Sequence, residues 1–119
     1  MKIFINYAIQ EKAWGGGNQF LKNLSNELKR RDSISETAED SDVILFNSHH
    51  SIEQCFHFKT KFPGKKFVHR VDGPMRLYNK MSDNRDFLVY QANQEIADGT
   101  IFQSNFSFEQ NRAMGMKIN

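Results

Sequence analysis

The sequence predicts an α/β domain, an open parallel sheet with helices packed against it. Three observations carry that expectation. Short runs of β-branched and aromatic residues alternate with helix-like stretches along the chain. The clearest run, DVILFNS at residues 42–48, is continuously apolar, as strands buried on both faces tend to be. The chain has 119 residues, without internal repeats, low-complexity tracts or linkers, which suits one small domain around a single core.

The elements follow in order. KIFIN, residues 2–6, reads as the first buried strand. AWGGGNQFLKNL then sets three glycines before a helical stretch, residues 18–31, that carries Phe20, Leu21, Leu24 and Leu28 on one face. Lys29, Arg30 and Arg31 close it, where cations suit the helix dipole. SISET, residues 33–37, is a candidate short strand, and residues 42–48 form the next one. Ser51 and Gln54 fit a capping box for a helix that turns Ile52, Cys55, Phe56 and Phe62 inward and ends at Pro63-Gly64. KFVHRV, residues 66–71, is a strand, and DGPMRLYNKMSDN, residues 72–84, a polar loop. Asp83 caps a helix through Asp98, with Leu88, Ala92 and Ile96 as its apolar stripe. TIFQS, residues 100–104, is the last strand. Ser107 and Gln110 offer a second capping box for a helix ending near Gly115. The strands near residues 2–6, 43–47, 67–71 and 100–103 are expected to be parallel neighbours in one sheet.

Composition narrows the partners. Sixteen Lys and Arg against fourteen Asp and Glu leave a net charge of +2, with the signs interleaved, so nucleic acid is not an expected partner. A single cysteine, Cys55, cannot form an intrachain disulfide and points to the reducing cytoplasm. No segment has the apolar length of a membrane span, and the first strand begins at once without a visible signal peptide. The eleven Phe residues read as core.

Three polar stretches fall on the carboxyl edge of the expected sheet, where open α/β sheets bind ligands. The glycine loop, Gly15, Gly16 and Gly17, joins a strand to a helix N-terminus, a geometry that suits anions. It matches neither the dinucleotide fingerprint nor the P-loop, and a mobile link is the alternative. HRVDGP brings His69, Arg70 and Asp72 to a strand end; a structural turn is its alternative. FQSNFS adds Gln103 and Asn105, with helix capping as the plainer role of Ser104 and Ser107. His49, His50, His57 and Cys55 lack a recognised metal-ligand spacing, so no metal is assigned.

The series KIFINYA…GGGNQFLKNL, DVILFNS, KFVHRVDGP and NQEIADGTIFQSNFS resembles the N-terminal domain of a GT-B glycosyltransferase of the retaining family 4 group, over nearly the whole chain. The resemblance implies a Rossmann-like half-domain on the acceptor side of a two-domain cleft. It implies a nucleotide-sugar donor, a hydroxyl acceptor and no bound metal or other cofactor. It places Gly15, Gly16 and Gly17 against the donor diphosphate and sugar, and His69, pointing into the cleft, on the donor sugar as the catalytic contact. Arg70 and Asp72 follow on the acceptor side. The family's C-terminal donor domain is not among these residues, so the chain is expected to be inactive alone, prone to self-association, and either a truncated piece or completed by a separately encoded C-terminal domain. A non-catalytic binding or homodimerising module derived from such an enzyme is the rival expectation.

Overall fold

The computed structural model of the protein describes residues 1–12, 15–78 and 84–118. Four strands, β1 (Ile3–Asn6), β2 (Val43–Asn47), β3 (Lys66–Val71) and β4 (Gly99–Phe102), form one sheet in the order β1-β2-β3-β4, every pair parallel. The helices are α1 (Gly16–Arg30), α2 (Ile52–Lys61), α3 (Met75–Tyr78), α4 (Arg85–Ile96) and α5 (Asn105–Ala113). This is the Rossmann-like α/β arrangement that the alternation of runs predicted. Among the described residues, no helix is long and apolar enough to cross a membrane.

Ile3 pairs with Val43 on one side and makes a parallel bridge to Ile34 on the other. The chain therefore leaves β1 outward to Ile34 and returns across it to β2. That reversal puts the topological switch point at the carboxyl ends of β1 and β2. The expected strand at residues 33–37 is reduced to this single bridge, held by Ile3 N–H to Ser33 O and Ser35 N–H to Ile3 O.

Side-chain alternation sends β residues to two faces. Phe4, Ile44, Phe46 and Phe67 face α2 and α4, in a core with Ile52, Cys55, Ala92 and Ile96. Fully burying side chains of this size contributes about 1.5–3 kcal/mol each. Arg70, of opposite parity, lies over the Phe20 ring of α1 at 4.8 Å.

Four local expectations are corrected. Phe20 and Leu88 are 40% and 41% exposed, so Val89 rather than Leu88 joins Ala92 and Ile96 in the buried stripe of α4. Ser51 precedes α2 in a left-handed conformation (φ 54°) and makes no capping bond. Ser107 lies inside α5, whose cap is Ser104, accepting from Ser107 N–H at 3.1 Å. The loop after β3 holds the short helix α3, because the buried Asp86 carboxylate accepts from Met75 N–H (2.7 Å) and Arg76 N–H (3.0 Å). The cap expected at Asp83 lies outside the described residues.

Candidate functional site

At the switch point the structure has a cleft of about 220 Å³. One wall is the start of α1, Gly15 to Asn18; the rest is Tyr7 after β1, Asn47 and His50 at the end of β2, and Asp72 after β3. Parallel strands place these side chains together because all of them end at the same edge.

The three glycines are there for different reasons. Gly15 has φ +129°, a region that L side chains rarely adopt. A Cβ on Gly17 would stand 3.1 Å from Arg70 Nη1 and 3.2 Å from Asn47 Nδ2, so Gly17 lets α1 approach β2 and β3 closely. Gly16 has room, its nearest neighbour being Gln103 Nε2 at 3.6 Å from an added Cβ. The N-cap residue of α1, Gly15, has no side chain to cap it. The first amides of a helix have no intrahelical acceptor, and the positive end of the helix dipole lies with them. Asn18 holds the preceding segment by accepting from Gln10 N–H (2.7 Å) and donating to Gln10 O (3.0 Å).

Arg70 lies beneath this wall. Its side chain is 3% exposed, and Nη1 donates to Asp72 Oδ1 (2.8 Å) and Asn47 Oδ1 (3.0 Å). Its charge is thus matched inside the fold, while the Asp72 side chain is 33% exposed and lines the cleft. The backbone here is braced from α5. Asn111 donates to Asp72 O (3.0 Å) while accepting from Tyr90 Oη–H (2.8 Å), and Ser107 Oγ donates to Val71 O (3.2 Å). Burial, and then the Asp72 carboxylate, push the Tyr7 phenol above its usual range, which keeps it a protonated donor.

His69 does not face the cleft. It is fully buried, stacked on Phe46 with ring centroids 4.1 Å apart. Nε2 donates to Ser48 O at 2.8 Å, and Nδ1 accepts from Asn93 Nδ2 at 3.2 Å. Burial lowers its pKa to about 4, so the ring is neutral. The reason is register. His69 lies three residues before Asp72, about 10 Å down the strand from the rim, and its parity turns it toward α4. With both nitrogens engaged inside the domain, it has no free atom for a donor sugar. Asn105 is exposed at the start of α5, and no contact brings it to the cleft.

The reading of the sequence missed Tyr7 and Asn47, and weighed His50 only as a metal ligand. Each follows the last apolar residue of a strand, a positional signal that outperforms residue chemistry here. His50 sits in a turn bracketed by two left-handed serines, Ser48 (φ 49°) and Ser51 (φ 54°). Its ring is edge-on to Tyr7 at 5.1 Å and lies 4.2 Å from that of His49. Among the described residues, no three metal-ligating side chains cluster.

Comparison of the chain with protein-family models, with curated proteins and with solved structures finds no match.

Proposed function

We propose that this chain is the N-terminal, Rossmann-like half of a GT-B glycosyltransferase, contributing one wall of the cleft in which a sugar passes from a nucleotide donor to a hydroxyl acceptor. The observation that carries the reading is the cleft at the switch point. Helix amides without intrahelical partners, a phenol, an amide, an imidazole and a carboxylate converge there on one open space. Such a set suits a polyhydroxylated ligand. The carboxylate of Asp72 accepts from hydroxyls, while the α1 amides and Tyr7 donate to sugar or phosphate oxygens. On this reading the amides at Gly16 and Gly17 stabilise charge on the departing diphosphate, and a second domain closes over the donor to exclude water. His69 has no part in the transfer; it holds the Ser48 carbonyl and so the turn that carries His50.

Gly16→Val tests the wall, because Gly16 alone of the three glycines combines room for a side chain with an unstrained backbone. Titrating UDP-glucose and GDP-mannose calorimetrically into the chain, and into the variant, is the measurement. One wall offers a few hydrogen bonds of about 1 kcal/mol each against the cost of association, so binding is expected near millimolar and at least several-fold weaker in the variant. Equal affinity in both proteins, or no saturable binding of either donor, would overturn the reading.

A further inference from the structure

Beside the cleft, between the start of α2 and α4, lies a groove of about 490 Å³. Ile52 and Phe56, one turn apart on α2, and Leu88 of α4 give it apolar walls; His49, Ser51 and Glu53 complete its lining. Leu88 has the helical spacing of a core residue yet opens on this groove. A smaller concavity of about 170 Å³ links the two sites: it shares Ser51 with the groove, and Tyr7 and His50 with the cleft. His49 in the groove and His50 in the cleft are adjacent in the chain, their rings 4.2 Å apart. The three concavities therefore adjoin one another, hydrogen-bonding at the glycine end and apolar at the α2–α4 end.

We infer that the groove binds the apolar portion of the acceptor, an aryl or short alkyl group carried on the molecule whose hydroxyl enters the cleft. This rests on the glycosyltransferase reading for the acceptor's role, and on the adjoining concavities alone for the ligand's chemistry. A fully hydroxylated acceptor would lose water at its hydroxyls against Ile52, Phe56 and Leu88, with only His49, Ser51 and Glu53 there to restore hydrogen bonds. An aryl or alkyl group removes apolar surface from water on both sides. Because the groove adjoins the cleft through the smaller concavity, the occupant is a single amphiphilic molecule, polar toward His50 and apolar toward Leu88.

The test uses the full chain, isotopically labelled, with 4-nitrophenyl glucoside, methyl glucoside and 4-nitrophenol titrated separately and followed by amide chemical shifts. The aryl glucoside is expected to bind on the order of tenfold more tightly than the methyl glucoside, as burial of one ring predicts. Its shifts should centre on Ile52, Phe56 and Leu88. Leu88→Gln, a change at a residue 41% exposed that the fold tolerates, should remove most of that preference. Equal affinities, shifts elsewhere, or a preference unchanged in Leu88→Gln overturn the assignment. If 4-nitrophenol shifts the groove while UDP-glucose and GDP-mannose bind nowhere, the groove stands as an apolar site and the acceptor role falls with the glycosyltransferase reading.

Discussion

Gly17 shows what a single hydrogen in place of a methyl group does for this molecule. The two atoms an added Cβ would crowd, Arg70 Nη1 and Asn47 Nδ2, cannot easily withdraw. Arg70 is fixed by Asp72 and by the Asn47 side chain itself. Gly17→Ala is therefore expected to lower stability by about 1–2 kcal/mol, through overpacking against the buried guanidinium of Arg70 and the Asn47 amide. Gly16→Ala meets only a flexible glutamine end and gains helix propensity, so it should be neutral or stabilising by a few tenths of a kcal/mol. Urea denaturation of the two variants measures the contrast, and equal midpoints would contradict it. The triplet is conspicuous in the sequence, but its division of labour is not. The contacts that distinguish Gly17 from Gly16 come from β2 and β3, remote in the chain.

At the level of elements, the four sheet strands were legible to within two residues at either end, because apolar runs bounded by polar turns leave little choice. Caps were less legible, since Ser or Thr three residues before Gln is common and the decisive variable is backbone conformation. Ser104 is extended (φ −161°) and caps α5, whereas Ser51 is left-handed and caps nothing. Ser104→Ala should cost about 1 kcal/mol of stability. Ser51→Ala should change stability by less than about 0.5 kcal/mol, the usual range where no such bond is lost. Thermal melts of both variants decide, and a larger loss at Ser51 would refute the assignment. The helix α3 was hidden for a related reason. Its supporting carboxylate, Asp86, comes from the following helix, so no local pattern announces it.

For the molecule as a whole, the buried His69 couples the fold to pH. Its pKa is about 4 in the folded state, against an ordinary value near 6.5 when unfolded. Between those values the unfolded chain takes up a proton that the folded one refuses, so stability is full above about pH 6.5 and falls with pH toward 4. The loss attributable to this ring is about 3 kcal/mol. His69→Gln should lose less stability than the parent between pH 7 and pH 4 by about that amount; parallel pH profiles would show that the ring titrates freely. The sheet edge that forms the cleft was legible from topology, and Gly15, Gly16, Gly17 and Asp72 lie on it as expected. The depth of His69 was not legible although the ends of β3 were, because the Ser48 carbonyl and Asn93 that enclose the ring come from β2's following turn and from α4, remote in the chain. The matched charges of Arg70 and Asp72 bear on something else, the ionic strength at which the cleft operates. Among its described lining residues there is no lysine or arginine, and the guanidinium beneath is already matched by a carboxylate 2.8 Å away. Dissolved ions weaken attraction between net charges over about 8 Å at physiological salt, but they scarcely alter a hydrogen bond to a fixed amide. An uncharged ligand held by those amides would therefore be held equally in dilute buffer and in a concentrated ionic medium.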